Sequence, residues 1–502
     1  MKKLVNSPAF VFVFLAVLTT RSQGQVPRNE LARQHLESGI QFYSQGRYKQ
    51  ALNDFQIVAT MPGTGYADDA LLRIGEYYME IEENFEEAQN RFEELLQRYP
   101  TENSAPGAYY YLGVLALRST YGREGVDDAL ANFQRVIRLY RRSDWVPAAL
   151  YSTGTAQERR GHWEEAADSY LRVVAEHPSS PWAAKAQLAL GGCLVRLGKP
   201  VQGMIELQQV RNRYPENPAA EDALDHLTHL FRFYGFPRLG QPISYRVDPS
   251  FRARLADKFK DVVAVRISPQ GIHVLERGRK RILTFDLRGK LTGTQSTVNP
   301  RGLAVDPQGA LIVANEKGLV IESTPRVFTV PEEKGPRQLE KIRLATRDRL
   351  GDIYVYDERQ KKILRFEPSG KLIGAFPDAS PREILRMEVD RAGNLVFLEK
   401  KGRAVVIYSP TGQRRGRIEK RGEKWDFKKP IDIAVDPTGY LYLLDEERPQ
   451  VAVFDPSYQL VTLLSEQNLG GGVLKKPVTL DVDASGDLYV YDDKEKALIR
   501  LH

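Results

Sequence analysis

The chain has 502 residues, 27% of them charged and 42% hydrophobic, with a formal net charge of +7. That length exceeds what a single hydrophobic core supports and predicts more than one domain. The lone cysteine, Cys193, excludes an intrachain disulfide, and a mean hydropathy of −0.42 leaves no long apolar run beyond the N-terminal segment.

Residues 1–24 read as a signal peptide. Lys2 and Lys3 precede an apolar stretch from Ala9 to Leu18, which ends in the small-residue pattern Ser22-Gln23-Gly24. About ten residues are too few to span a bilayer, which needs about 20. The mature chain is expected to start near Gln25 in the periplasm or extracellular space. With no cysteine at the cleavage point, it is expected not to be lipid-anchored and to keep no integral membrane segment.

Residues 30–235 carry a helical period in which small residues recur at Ala51, Ala88, Ala129, Ala166 and Gly203, spaced 37, 41, 37 and 37. In the clearest copy Gly154, Gly161, Trp163, Ala166, Tyr170, Val173 and Pro178 fall in order, and Gly39, Tyr48, Ala51, Phe55 and Pro62 repeat the order earlier. Small residues let paired helices approach, large ones fill the gap between them, and Pro ends the second helix. This spacing resembles tetratricopeptide (TPR) proteins of the bacterial cell envelope, as do the endings Arg98-Tyr99-Pro100 and Arg213-Tyr214-Pro215. The resemblance implies an α-solenoid of five helix pairs. Residues 219–235, with Leu224, Leu227, Leu230 and Phe231 on one face, read as its capping helix. His226 and His229 share a face at i, i+3 and are expected on the surface of that helix. Cys193 is expected to be a small buried residue.

Between residues 240 and 502 the period changes. Gly271, Gly309, Gly351, Gly393, Gly439 and Gly486 recur at intervals of 38, 42, 42, 46 and 47, most of them closing an Asp-x-x-Gly turn after an alternating strand. Asp at the first turn position bonds its own backbone, and Gly accepts positive φ. A second, third and weaker fourth strand follow each turn, which is the period of a β-propeller blade. Glu276, Asp357, Glu399, Asp445 and Asp492 end the second strands and read as turn structure. Blade six stops after its third strand, and Ile243–Val247 is predicted to close the ring. The segments Pro300–Asp306, Pro430–Asp436 and Pro477–Asp483 resemble the opening strands of NHL propellers. The fold class is therefore multidomain, an all-α TPR solenoid followed by an all-β six-bladed propeller.

Charge divides unevenly between the halves. Residues 25–239 hold 23 Lys+Arg against 28 Asp+Glu, net −5, and residues 240–502 hold 46 against 37, net +9. Basic residues gather at propeller tips, namely Arg277, Arg279, Lys280 and Arg281; Lys400, Lys401 and Arg403; and Arg414, Arg415, Arg417, Lys420 and Arg421. An anionic polymer or an acidic partner, the solenoid included, is the ligand such tips would take, and export argues against nucleic acid.

No HExxH, Walker loop or Gly-x-Ser-x-Gly elbow occurs, so no catalytic residue, metal ligand or cofactor is assigned. The axis of the propeller is expected to hold Arg266, Arg386, Glu388, Asp432 and Asp481. Three carboxylates there are the best case for a metal-dependent, lactonase-like hydrolase or lyase, and two arginines in the same columns favour a neutralised channel instead. By register with Gly39, Gly113, Gly154 and Gly191, Tyr43, Tyr110, Tyr151, Arg159 and Arg196 are the candidates for a peptide groove. The sequence points to an exported protein-protein interaction scaffold with protein or peptide partners; glycan or peptidoglycan binding is a further alternative.

Overall fold

The computed structural model describes residues 27–119, 123–238, 243–254, 259–306, 308–332, 335–376, 383–390, 392–399, 404–422, 425–469 and 471–502. The expected signal peptide and the basic tip Lys400, Lys401 and Arg403 lie outside the described residues. Two compact units divide between Ile74 and Gly75.

The first unit holds α1 (Arg28–Ser44), α2 (Tyr48–Ala59) and the start of α3 (Ala67–Glu80). Helix α1 carries Gly39 where a Cβ would lie 2.5 Å from the Phe55 ring. That close approach is why the position is glycine. Asp54, half-turned into the pair, accepts from Ser38 Oγ at 2.6 Å and meets His35 Nδ1 at 2.9 Å.

In the second unit the helices continue as α4 (Phe85–Arg98), α5 (Ala105–Ser119), α6 (Arg123–Leu139), α7 (Val146–Arg160), α8 (Trp163–Glu176), α9 (Ala183–Arg196), α10 (Pro200–Arg213) and α11 (Ala219–Leu230). The same device recurs. A Cβ on Gly75, Gly113, Gly154 or Gly191 would fall 2.3 to 2.9 Å from Phe92, Phe133, Tyr170 or Leu207. Ala88, Ala129 and Ala166 are fully buried between these layers. The tyrosines that follow α6 and α10 have their own use, since Tyr140 Oη donates to Pro100 O at 2.7 Å and Tyr214 Oη to Pro178 O at 3.3 Å. Each bond ties one inter-repeat turn to the turn before it. Among the described residues no helix is long and apolar enough to cross a membrane.

The propeller has four antiparallel strands in each of its first five blades, in the hydrogen-bonded order of the chain. Blade one, for example, is Val262–Ser268, Gly271–Glu276, Arg281–Phe285 and Leu291–Ser296. Opening strands of successive blades pack on one another, and that of blade one packs on that of blade six, closing the ring. An added two-stranded ribbon, Thr329–Val330 with Arg337–Gln338, lies between blades two and three and has no sequence signal of its own.

Blade six has three named strands, Pro477–Val482, Leu488–Asp492 and Ala497–Leu501. Its outer edge bonds to the segment ahead of blade one: Arg246 and His502 exchange main-chain hydrogen bonds of 2.9 Å, and Asp248 N donates to Arg500 O at 3.0 Å. The contact is centred on Val247 opposite Leu501, while Tyr245 N turns to Asn468 O. The acids ending the second strands fix the loop into the same blade's first strand. Lys428 N and Lys429 N donate to Asp445 at 2.5 and 2.9 Å, and Lys475 N and Lys476 N donate to Asp492 at 2.6 and 2.7 Å.

The first helices α5, α7, α9 and α11 meet the propeller face that carries the Asp-x-x-Gly turns, and basic side chains from them and from the turn after α11 reach blades three to six. Arg159 of α7 lies 3.7 Å from Asp348 of blade three, and Arg196 of α9 lies 3.3 Å from Asp390 of blade four. His229 of α11 lies 2.8 Å from Asp436 of blade five, and Arg232, in the π-turn Phe231–Gly235, lies 2.9 Å from Asp487 of blade six. Arg118 of α5, buried over the Phe85 ring, continues the series toward Asp348 and Asp352. In return, Arg415 of blade four donates to Arg160 O and Arg159 O, carbonyls of the last turn of α7. A single apolar cluster runs from Leu188, Leu207 and Leu230 through Phe233 and Tyr245 to Tyr440, Leu480 and Leu501.

This docking revises two readings of α11. His226 and His229 are buried, not on the surface, because the helix ends against blade five and not in solvent. The face with Leu224 and Phe231 is the exposed one, and Ala219, Ala223, His226, His229 and Leu230 point inward.

Arg196→Met removes the cation paired with buried Asp390 and leaves only Arg415 near it, and such breaks cost about 3 kcal/mol. In a urea-unfolding cycle with Asp390→Asn, a coupling of about 1.5 kcal/mol or more is expected; additivity would count against a docking role. Blade six supplies a pH test, because Asp225 of α11 sits near Asp483 instead of offering it a cation. Burial and then Asp483 push Asp225 up to about 6 from 3.8. The native state thus binds protons more tightly than the unfolded chain, and stability falls as pH rises between about 4 and 6. Asp225→Asn should raise the unfolding midpoint at pH 8 and leave it unchanged near pH 3.5; equal shifts at both values would contradict this.

Candidate functional sites on the axis and on the helical repeats

The propeller axis gathers the five residues expected there. Each opening strand places alternate side chains toward it, and the small ones of blades one, two and five (Ala264, Gly302, Ala304, Ala434) leave room for the large ones of the others. Arg266 reaches from blade one to Glu388 of blade four, Nη2 to Oε1 3.1 Å, and its Nη1 lies 3.9 Å from Asp432. Arg386 Nε donates to Asp432 Oδ1 at 2.8 Å. Asp432 is fully buried and also accepts from Thr479 Oγ1 at 2.5 Å, Leu480 N at 3.0 Å and Ile433 N at 3.0 Å. Asp481 accepts from Ile267 N at 2.6 Å, tying blade six to blade one.

Burial governs the protonation of these acids. It pushes Glu388 up to about 7, with Arg266 opposing, and Asp481 up to about 6, again against Arg266. Arg266, in turn, is held protonated by Glu388, Asp432 and Asp481 although burial opposes it. The channel is thus a cross-braced ion network between opposite and adjacent blades. Among the described residues, no group of three or more His, Cys, Asp or Glu is arranged to hold a metal ion.

The solenoid candidates separate into two kinds. Arg159 and Arg196 are not open to an outside peptide: Arg159 donates to Leu117 O at 2.8 Å beside Asp348, and Arg196 lies over the Trp163 ring, 4.6 Å from its centroid, beside Asp390. Both are turned into the propeller. Tyr110 is buried against Phe133 and Trp145, with centroids 5.9 and 5.2 Å away, and Tyr151 leans on Tyr170 and Trp182. Tyr43 packs edge-on to Tyr48 in the first unit. These three rings are joints between helices.

The basic tips are mostly braced locally. Arg277 grips Asp261 with both arms, at 2.9 and 3.0 Å, and Arg279 and Arg281 share the buried Glu276. Arg417 bonds Glu419 and Glu399, and Arg421 bonds Asp426. Arg415 is inside the docking contact.

Sequence reasoning missed His229, Arg232, Arg118 and the turn aspartates as contact residues. A signal existed. Cations at 118, 159, 196 and 232 recur at 41, 37 and 36 residues, close to the spacing of the buried alanines, and a solvated surface has no reason to keep such a period.

Asp432→Asn removes the charge that faces Arg386 and Arg266, a loss of about 3 kcal/mol in unfolding free energy. Adding Arg386→Met should recover part of it; a double variant as unstable as the sum of the singles would rule out the pairing.

Tetratricopeptide-repeat family models match residues 69–101 and 118–181. Outer membrane protein assembly factor BamD of Caulobacter vibrioides is 32% identical over 74 residues, 15% of this chain. The match spans only 24% of that protein's length. Among solved structures, virginiamycin B lyase from Staphylococcus aureus aligns over 47% of this chain and 79% of its own, at 15% identity and a TM-score of 0.33. YrrB, a TPR protein with an unusual peptide-binding site, aligns over 38% and 91% at 20% identity and a TM-score of 0.29, and MamA over 37% and 93% at 17% and 0.29. The chain joins tetratricopeptide repeats to a six-bladed β-propeller.

Proposed function

We propose that this protein is an exported scaffold of the cell envelope that holds protein partners on its second helices while the propeller acts as their rigid support. The observation that carries the reading is the docking of α7, α9 and α11 with its π-turn on blades three to six. It occupies the first-helix side, where Arg159 and Arg196 were expected to meet a peptide, and leaves the second helices outward. Those helices expose large apolar side chains at Leu139 (67%), Leu171 (50%) and Ile205 (54%), one on each of α6, α8 and α10. They sit at different positions within their repeats, so each is a separate exposed apolar spot on the outward helices that a partner helix or strand would bury.

The envelope assignment rests on the N-terminal signal pattern and on the local likeness to an outer-membrane assembly factor. The rival reading, a hydrolase or lyase with a metal on the axis, is weakened by the engagement of Asp432 with Arg386, Thr479 and two main-chain amides. A photo-crosslinker at position 139, 171 or 205 in producing cells should give discrete protein adducts in the envelope fraction, and one at the exposed Arg448 should not. Equal labelling at all four positions, or none at the three stations, would dismiss the reading.

A further inference from the structure

Where the opening strands begin, at the end of the axis away from the docked helices, lies a cavity of about 340 Å³. Its walls are unusual in charge: Arg266, Arg277, Arg301, Arg343 and Arg386 line it, and Asp261 is the one acid among the lining residues described. Small residues make the room: Ala264 and Gly302 stand where other blades carry Arg386, Asp432 and Thr479, Ala304 where others carry Arg266, Glu388 and Asp481, and Ala314 where the second strands of others carry Leu398, Leu444 and Tyr491. A liquid water takes about 30 Å³, so a molecule of roughly ten non-hydrogen atoms fits.

Carboxylate partners of these guanidinium groups are few at the mouth, where Arg343 Nη2 otherwise donates to Ile384 O at 2.5 Å. Asp261 is committed to Arg277, and Arg301 and Arg343 share the single carboxylate of Glu358, at 3.7 and 3.0 Å. Glu358 is itself not part of the wall. Deeper in, Arg266 is 5% exposed, and its Nε–H is buried without an acceptor among the described residues; the same holds for the Nε–H of Arg301. Buried donors of a guanidinium fork call for an oxygen acceptor, and planar forks suit carboxylate and phosphate oxygens. The apolar part of the wall, Leu303, Ile312, Leu344 and Met387, excludes water from one side and strengthens such bonds.

We infer that this cavity is a binding site for a small organic anion bearing two or more oxyanion groups, held by Arg301 and Arg343 at the mouth and by Arg266 below them. A long polyanion is a poorer match, because the cavity is closed below by the Arg266–Glu388 and Arg386–Asp432 braces. The site is independent of the partner surface on the second helices.

Calorimetric titration of the full chain at fixed ionic strength tests it, with citrate, inorganic pyrophosphate and acetate as probes. Citrate or pyrophosphate should bind once per chain and acetate should not. Saturation by citrate alone identifies a polycarboxylate ligand, and by pyrophosphate alone a phosphate ester; either supports the site. Arg301→Ala/Arg343→Ala should weaken binding about ten-fold or more, Arg301→Lys/Arg343→Lys should weaken it less, and Arg417→Ala should leave it unchanged. No heat from either polyanion at millimolar concentration, or unaltered binding in the double alanine variant, overturns the proposal. Thermal unfolding of each variant without ligand separates lost binding from lost fold.

Discussion

Each turn aspartate of the propeller has two oxygens, and the structure depends on their division of labour. In Asp436 one oxygen accepts from Thr438 N, Thr438 Oγ1 and Tyr440 N and so makes the turn, while the other faces Tyr442 Oη at 3.4 Å and His229. Asp348 repeats the pattern with Leu350 N and Asp352 N on one side and Tyr354 Oη and Arg159 on the other. Burial alone would raise the Asp436 carboxyl, yet His229 and the turn donors hold it below its ordinary range. A residue needed to turn the chain is thereby kept ionised, and an ionised buried oxygen is what a guanidinium or a ring N–H can dock against.

The polarity of that contact is opposite to what net charge implies. An acidic helical half and a basic propeller half suggest that propeller cations seek solenoid anions. The structure instead inserts Arg159, Arg196 and Arg232 of the acidic half into carboxylates of the basic half, with Arg415 the exception. Net charge acts through solvent and is screened within about 8–10 Å. Pairing inside a desolvated contact is decided by which atoms are within 4 Å, and the bulk imbalance is left for the exposed surface.

Much of the architecture was legible because it rests on local rules repeated many times. Gly154 opposite Tyr170, or Asp306-Pro307-Gln308-Gly309, carries its reason within a few residues, and five or six copies average out the noise. The axis was legible for the same reason, since strand alternation assigns Arg266, Glu388 and Asp432 to one column. What stayed hidden required two periods to be compared. Arg196 read as a groove residue because its own helix says only that it ends a first helix; its partner Asp390 lies 194 residues away and already had a sufficient reason to exist. Leu224 was placed inward by its apolar character, when the inward face of α11 is set by Ala223 and His226 against the propeller. The ribbon at Thr329–Val330 left no trace because two residues carry no period.

A repeat array docked on a second repeat array has a register problem that neither has alone. If each contact were an identical Arg–Asp pair, sliding the helices by one repeat would preserve most of them, as a strand slip preserves hydrogen bonds while misplacing side chains. The contacts are not identical. His229 is ringed by Phe233 and Tyr440 with centroids 5.0 Å away, and only blade five offers Tyr440, whose hydroxyl meets Tyr234 at 2.7 Å. Blade six shifts its acceptor from Asp483 to Asp487, shared with Arg500 at 2.7 Å, and meets Asp225 with a like charge. Blade two turns Asp306 to Arg347 of its own neighbour, 3.3 Å away, and blade one has Ser268 in that position, so neither presents a free carboxylate to a slipped helix. Charge supplies the attraction at each station, and the exceptions to the repeat supply the register.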